Sequence, residues 1–498
     1  MSENVTSPPG GHGGAARDPL QRPSTPSALF PGRSRLPVTA PWWAAILVAM
    51  GGSLMIVVSL GAEVADIGNL SIWVWVGTAA IGGLQCFLIA EMASRFPERA
   101  GGTAQFAYRA LPGGSRSLGA LSAWCYWFAW TPGIAVNLIL AATFLRDLLL
   151  PGVNAVLLAG LIGAVLYIIT ALGLRLATVI NACLALVAAG VILIVVVGPL
   201  LRPGAFHLEQ VIPAALPSGA PDDFGSIIAL VLKWGFVATW SSYAAEMAST
   251  VCAEIRQPER HMKRIMTASA TICFVAFSAI PIMLFGLLGA GGLGDPFKAF
   301  TAAGRIALGP VGETFVGVGL AAVLILAAET FIIGSSRTVY QMSQDGHIPR
   351  FFGKINKRGA PVGSIAWDAV VIGIMLVVFG THVVEVVAAA NFGYLIVFVL
   401  MPIAYLVLRR HPGGRAGGLR LPRPFIIVAL VLAAFNAILL VFGGSQWGPH
   451  VVAVGVVISL IILPVSAVTH RMRRRVEDDV AATYEAPVEP VSAGTPSP

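Results

Sequence analysis

The sequence Thr-Trp-Ser-Ser-Tyr-Ala-Ala-Glu at residues 239–246 places small and polar residues in the middle of an otherwise apolar segment. A second interruption, Gly51-Gly52-Ser53, lies near the middle of another apolar segment, five segments earlier in the chain. Interruptions at matching positions in two halves are typical of secondary transporters built from inverted repeats, whose broken helices line the binding site. For the two glycines alone, close packing of helices is an equal explanation, but the matching break favours a binding site.

Outward from these breaks, twelve apolar segments follow one another, and a helix of roughly 20 apolar residues spans a bilayer. Because helices satisfy their own backbone hydrogen bonds in lipid, the pattern predicts an all-α integral membrane protein with twelve transmembrane helices. Composition agrees, since 56% of the 498 residues are hydrophobic and 11% are charged, against about 25% charged residues in soluble domains. The segments are 42–61, 70–90, 118–145, 153–173, 176–200, 225–251, 265–289, 312–335, 362–380, 384–408, 424–443 and 449–469.

Lys and Arg are distributed unevenly between the loops. Of the 32, 27 lie in the two tails and the even-numbered loops, four lie in the odd-numbered loops, and Lys233 lies inside the sixth segment. Because positively charged loops remain cytoplasmic, both ends are expected inside, in a multi-pass protein of the cell inner (cytoplasmic) membrane. Residues 1–40 and 471–498 are expected to be disordered cytoplasmic tails. The basic residues flank the segments, so membrane lipid is the expected partner and nucleic acid is not.

The sequence does not indicate an enzyme, a metal site or a bound cofactor. Its five Cys lie in or at the edge of apolar segments without a Cys-x-x-Cys pair, and they are expected to be small core residues. Its eight His are scattered without the spacing of metal ligands. The patterns His-Glu-x-x-His and Gly-x-Ser-x-Gly and the phosphate-binding loop are also absent from the sequence.

Four stretches keep a fixed order between about residues 40 and 410. The first, at residues 90–102, reads Ala-Glu-Met-Ala-Ser-Arg-Phe-Pro-Glu-Arg-Ala-Gly-Gly, and the second, at residues 253–260, reads Ala-Glu-Ile-Arg-Gln-Pro-Glu-Arg. The third and most specific, at residues 335–349, reads Ser-Ser-Arg-Thr-Val-Tyr-Gln-Met-Ser-Gln-Asp-Gly-His-Ile-Pro, and the fourth is Pro361, which opens the ninth segment. Together they resemble the amino acid–polyamine–organocation (APC) permeases.

The resemblance implies the LeuT fold, with residues 41–200 and 225–410 as two inverted repeats of five helices and residues 420–470 as two further helices. It implies alternating access around a site at the broken first and sixth helices. Trp240, Glu246, Ser249 and Thr250 are also similar to a Trp-x5-Asp-x-x-Ser-Thr stretch of polyamine-transporting eukaryotic relatives. The first segment departs from the family's Gly-Ser-Gly pattern, which weakens the expectation of a carboxylate site, although half-helix amides still attract anions.

Ionisable residues inside the apolar segments are few: Lys233, Glu246, Glu329 and Asp368. Each costs about 2.5–3.5 kcal/mol to insert at mid-membrane, so each is a functional candidate. The resemblance implies that Glu246 faces the substrate, where it would pair with a substrate ammonium; the alternative, a structural pair with Lys233, would have to bridge roughly 20 Å of unbroken helix. The resemblance also implies that Glu329 borders the same pocket, where it would bind the substrate or carry a proton, with a helix–helix hydrogen bond as an equal alternative. Asp368 is expected to be structural and near an interface, and Lys233 either reaches an interface or neutralises an acid.

The predicted function is secondary active transport of amino acids or related organic amines. Two acids near one apolar pocket favour a cationic or polyamine-type substrate, with aromatic rings in cation–π contact; the alternative is a neutral amino acid permease or exchanger. A non-transporting sensor is less favoured because the loops are short. A proton or a sodium ion would serve for coupling, and the oligomeric state is not specified. Most of the crowded aromatic residues of the third segment, which are Trp124, Tyr126, Trp127 and Trp130, are expected to form a packing face. The predicted substrate-binding residues are Gly51, Gly52, Ser53, Trp240, Ser241, Tyr243, Glu246, Glu329 and Phe331.

Overall fold

The computed structural model describes residues 36–52, 55–110, 116–378, 383–410 and 418–472. Within these ranges the regular elements are helices, which confirms the all-α prediction. The α-helices are α1 (Trp42–Met50), α2 (Leu60–Ile67), α3 (Leu70–Arg95), α4 (Thr103–Ala110), α5 (Arg116–Leu149), α6 (Ala155–Ala171), α7 (Leu174–Val196), α8 (Phe224–Ser242), α9 (Pro258–Leu288), α10 (Pro296–Asp345), α11 (Val362–Val378), α12 (Val383–Arg410), α13 (Phe425–Ile438) and α14 (Pro449–Leu460).

Nine helices among the described residues are long and apolar enough to cross a membrane. Residues Trp42–Val58 and Leu60–Ile67 meet at a bend of 45°, and together they provide a tenth membrane span if they form one broken span. They contain the first predicted segment. The fourth and ninth predicted segments form α6 and α11, apolar helices of 17 residues each. The membrane class of the chain therefore follows from its helices, and the full count of twelve spans stays a prediction.

Both interruptions expected from the sequence are breaks in the structure. α1 ends at Met50, and the chain resumes as a 3₁₀ turn over Met55–Val58 before α2. α8 ends at Ser242, and a 3₁₀ helix then runs over Ala244–Glu254. Runs of 3₁₀ helix beyond three or four residues are uncommon, and inside a longer helix they mark a hinge or strain. The small and polar residues at 239–246 therefore stand where the α-helix stops.

The eighth predicted segment belongs to a longer element than expected. α10 runs for 50 residues and is kinked where Leu308 and Gly309 leave helical geometry. Gly309 has a φ of +66°, which suits a residue without a Cβ, and Pro310 follows it. The residues before the kink form a separate helical arm, and the residues after it extend ten positions past the predicted end at residue 335.

Three of the stretches that resemble the family, all in even-numbered loops, meet at one end of the molecule. The Arg337 guanidinium pairs with the Glu254 carboxylate through Nε–Oε1 at 2.5 Å and Nη2–Oε2 at 3.3 Å. Arg99 Nη1 donates to Asp345 Oδ1 at 2.7 Å, and the Gly101 amide donates to a main-chain carbonyl of the 3₁₀ helix at 2.9 Å. These contacts tie residues 95–102, 250–260 and 335–349 together at the end that carries the basic loops.

Candidate functional site

The two breaks are in direct contact. A Cβ built on Gly52 would overlap the methyl group of Ala244, at the start of the 3₁₀ helix that follows α8. A Cβ built on Gly51 would overlap the side-chain hydroxyl of Thr330 on α10. The glycines therefore do pack closely against other helices, and this packing is also what joins the two breaks. Ser53, the third residue predicted here, lies outside the described residues.

An aromatic cluster of Trp130, Trp240, Phe331 and Tyr394 lies beside the second break. The Trp130 ring centroid is 5.6 Å from that of Trp240, 4.7 Å from Phe331 and 4.7 Å from Tyr394. Trp240 is fixed by a 2.7 Å hydrogen bond from its Nε1 to the carbonyl oxygen of Ala129 on α5. The Trp130 Nε1 is buried and has no partner in hydrogen-bond geometry among the described residues.

Glu246 is buried at the start of the 3₁₀ helix, with 1% of its surface exposed. Its Oε2 accepts a hydrogen bond from the Thr103 hydroxyl. Its Oε1 accepts one from the Tyr126 hydroxyl at 2.6 Å and one from the Tyr394 hydroxyl at 3.3 Å. The hydrogen bonds that the described residues make to this carboxylate thus come from hydroxyls, which orient it without supplying a positive charge.

Glu329 takes a different position from Glu246. Its Oε1 accepts a 2.8 Å hydrogen bond from Thr170 on α6, and its Oε2 has no hydrogen-bond partner among the described residues. Because successive residues of a helix are rotated by about 100°, Glu329 and Phe331 lie on opposite sides of α10. The structure therefore brings Phe331 into the aromatic cluster and turns Glu329 toward α6, and a shared pocket for the two acids stays a prediction.

The other predicted residues of the second break are also buried. Tyr243 donates a 3.0 Å hydrogen bond to Asn436 Oδ1 on α13, and its ring centroid lies 6.3 Å from that of Tyr394. Its ring thus borders the cluster while its hydroxyl points toward α13. Ser241 is 2% exposed at the end of α8.

The two remaining membrane charges lie apart from the breaks. Lys233 Nζ donates to Asp66 Oδ2 at 2.6 Å, which links α8 to α2. Asp368 is fully buried and accepts hydrogen bonds from Trp127 Nε1 at 2.7 Å and from the Ser335 hydroxyl at 2.5 Å. Asp368 therefore joins α11 to α5 and α10 inside the protein, and its place near an interface stays a prediction.

Sequence reasoning missed the three hydroxyl donors of Glu246 and the central place of Trp130. Thr103 follows directly after the first quoted stretch, which was the one available signal for it. Tyr126 and Tyr394 lie among apolar residues of the third and tenth segments, where nothing in the sequence distinguishes them from packing aromatics. Glu63 was also missed: it lies outside the predicted segments but is fully buried on α2.

Comparison with known proteins gives the chain a family context. A family model described as amino acid permease matches residues 41–451. The chain is 24% identical over 278 residues to the branched-chain amino acid permease BcaP of Lactococcus lactis subsp. cremoris, a match that covers 51% of this chain and 53% of the relative. It is 23% identical over 295 residues to the uncharacterized amino acid permease YvbW of Bacillus subtilis, covering 57% of this chain and 65% of the relative. It also matches the methylthioribose transporter of Bacillus subtilis, at 23% identity over 193 residues, 38% of this chain and 40% of the relative. The chain thus spans between two fifths and two thirds of the length of these relatives.

Proposed function

Because the chain belongs to the amino acid permease family, we propose that it is a secondary active transporter of an amino acid or related organic amine. The substrate site lies where the breaks at Gly51-Gly52 and at the end of α8 meet, with Ser53, Trp240, Ser241, Tyr243, Glu246 and Phe331 as its further residues. Glu329 would border this site only from behind, because it lies on the opposite side of α10 and contacts Thr170 of α6. Broken helices that meet inside the membrane are the usual place of such sites, because their freed backbone groups can bind a polar substrate.

The observation that carries this proposal is the environment of Glu246. Its carboxylate is buried beside the second break and is oriented by hydroxyls of Thr103, Tyr126 and Tyr394. A buried carboxylate is costly unless a cation or a proton compensates it. A substrate ammonium would supply the missing charge through a charge-assisted hydrogen bond. The rings of Trp130 and Trp240 could then contact the same cation, which favours a cationic or polyamine-type substrate.

The transport cycle follows as part of the proposal. The ion pairs at the basic end, such as Arg337 with Glu254, hold that end closed in this arrangement. At the other end a cavity of about 510 Å³ is lined by α2 and by the loop residues 209–217. Alternating access would then open the basic, cytoplasmic end while the outer cavity closes. The moving part would be the broken spans with α3 and α9, in a frame of two inverted repeats, 41–200 and 225–410, plus two helices at 420–470.

A neutral amino acid is the second candidate substrate. The cluster of Trp130, Trp240 and Phe331 is largely apolar, and an apolar wall suits a branched side chain as well as an amine. One relative is named a branched-chain amino acid permease. In this alternative, Glu246 is protonated and fixes the fold around the break instead of binding the substrate.

Substrate-induced stabilisation and counterflow separate the two candidates. The purified chain is heated with putrescine, arginine or leucine, and each compound is then tested for counterflow in liposomes preloaded with the same compound. A ligand at 100 times its Kd stabilises the folded state by about 2.7 kcal/mol, so a true substrate raises the unfolding temperature. We expect stabilisation and counterflow with arginine or putrescine. Stabilisation and counterflow with leucine alone would replace the cationic substrate by a neutral one.

A further inference from the structure

Glu63 is a buried acid that the proposed substrate site does not use. It lies on α2, and none of its surface is exposed. Neither of its carboxylate oxygens has a hydrogen-bond partner among the described residues. This differs from Glu246, whose two oxygens are both hydrogen-bonded. An ionised carboxylate in such a place would keep the full cost of its desolvation.

Among the described residues, the groups around Glu63 offer no positive charge to offset that cost. Three residues along α2, Asp66 already pairs with Lys233 of α8 and accepts from Trp234 Nε1 at 3.0 Å. From α3, the Trp75 indole N–H approaches Glu63 without reaching hydrogen-bond geometry, and an indole carries no charge. Trp75 is itself held by stacking on Phe277 of α9, at 5.3 Å between centroids and 7° between planes.

The remaining elements packed on α2 do not change this balance. The turn over Met55–Val58 is apolar. At the start of α10 the charged groups are Asp295 and Lys298, which lie 3.6 Å apart in an exposed pair. In the neighbouring loop, His207 pairs with Glu209 at 3.1 Å, and both are more than half exposed. In the described part of the chain, the charged groups named here near α2 are thus paired with one another, and Glu63 is not.

A metal ion is a poor candidate for the missing partner. Hard cations need several oxygen ligands, and the polar group that faces Glu63 is an indole N–H, which can only donate. No group of three or more metal-ligating side chains occurs among the described residues. A proton needs no further ligand, because it binds directly to a carboxylate oxygen and turns that oxygen into a donor.

The other face of α2 lines a cavity. Gly61, Val64, Ala65 and Gly68 line the cavity of about 510 Å³ at the end opposite the basic loops. α2 has only eight residues and is joined to α1 through the first break. A small movement of α2 would therefore bring the Glu63 carboxylate, one residue from Val64, to the water of this cavity.

We infer that Glu63 is a proton-binding site of the outer cavity, and that its bound proton holds α2 in the packed position seen here. The carboxylate takes one proton from cavity water when α2 packs, and returns it when α2 moves and the carboxylate becomes hydrated. Acidic pH on the outer side therefore stabilises the packed position of α2, and alkaline pH on that side releases it. This regulation concerns the same transport cycle and rests on the proposed function for its physiological role.

Infrared spectroscopy tests the proton directly on the wild-type chain. A buried protonated carboxyl has a carbonyl band that an ionised one lacks. We expect a band that disappears as the pH is raised and that is missing from Glu63→Gln at every pH. Identical spectra for the wild type and Glu63→Gln across the pH range would overturn the inference. This measurement does not depend on transport. Failure of counterflow in the wild type would therefore refute the proposed function without affecting the inference about Glu63.

A spin label at residue 62, introduced as Ala62→Cys after Cys183→Ala removes the exposed cysteine, reports the movement of α2. We expect the mobile fraction to rise at least twofold with rising pH in the otherwise wild-type chain and to stay constant with Glu63→Gln, which mimics the protonated acid. Asp66→Asn is the matched control on the same helix, since it removes an acid that has a partner, and it should keep the pH dependence. Equal pH dependence with and without Glu63 would contradict the inference.

Discussion

The ion pair between Arg337 and Glu254 offers the sharpest stability prediction. The side chains are 1% and 2% exposed and make two contacts, at 2.5 and 3.3 Å. Removal of one partner leaves the other charge buried and uncompensated, which costs about 3–5 kcal/mol. Arg337→Met alone and Glu254→Leu alone should therefore each lower the folded-to-unfolded ratio by about two to four orders of magnitude, at about 1.4 kcal/mol per tenfold.

The double variant Arg337→Met/Glu254→Leu removes both charges and should be far less destabilised than the sum of the single changes. Replacement of a buried pair by apolar residues is often close to neutral, so the coupling energy should exceed about 2 kcal/mol. The assay is reversible unfolding in mixed detergent micelles, followed by tryptophan fluorescence. Arg305→Met is the control on the same helix, because Arg305 and Glu313 are 67% and 41% exposed and an exposed pair contributes about 0–1 kcal/mol. If the losses of unfolding free energy in the two single variants simply add in the double variant, this account of the basic end is refuted.

Three further changes test the breaks and the outer end. Gly51→Ala should cost about 1–3 kcal/mol by overpacking against Thr330, and Thr330→Ala in the same chain should restore part of it in a thermal unfolding assay. Asn69→Ala removes the amide group that contacts four main-chain atoms of residues 210–215, so limited proteolysis should cut the 207–217 loop several times faster; an unchanged rate would show that the loop is held otherwise. Trp240→Phe loses a buried hydrogen bond worth about 1 kcal/mol and should weaken substrate affinity in counterflow more than it lowers thermal stability.

The breaks were predictable because their small and polar residues differ from the apolar residues on either side. Gly51-Gly52 and the polar residues at 239–246 interrupt apolar runs, and helices in lipid tolerate such interruptions only where the protein interior satisfies the backbone. The four family-like stretches were equally visible, since they combine Pro, Gly and charged residues in a fixed order. Their mutual contacts, such as Arg337 with Glu254, were not, because the partners are 83 residues apart in the chain.

The interior of the site was less predictable, and the reasons are physical. Hydropathy treats Tyr394 and Trp130 as ordinary apolar residues, so the hydroxyl that reaches Glu246 and the ring at the cluster centre gave no signal. Glu63 lies in a short polar stretch that hydropathy excludes from every segment, yet α2 packs it fully inside. Asp368 shows the converse case: its presence in an apolar segment was evident, but its donors Trp127 and Ser335 come from two other segments.

The central claim is that the Glu246 carboxylate binds the positive charge of the substrate. Uptake of labelled putrescine, arginine and leucine into proteoliposomes, with and without an inward proton gradient, tests it most directly. The wild type is compared with Glu246→Gln and with the control Asp368→Asn, which alters a buried acid that contacts α5 and α10 away from the breaks.

A charge-assisted hydrogen bond is worth about 1.5–3 kcal/mol, so the account predicts that the wild type accumulates arginine or putrescine, that Glu246→Gln lowers kcat/KM at least about tenfold, and that Asp368→Asn keeps the preference for cations. Accumulation of leucine at the same rate in the wild type and in Glu246→Gln, without uptake of either cation, would contradict it.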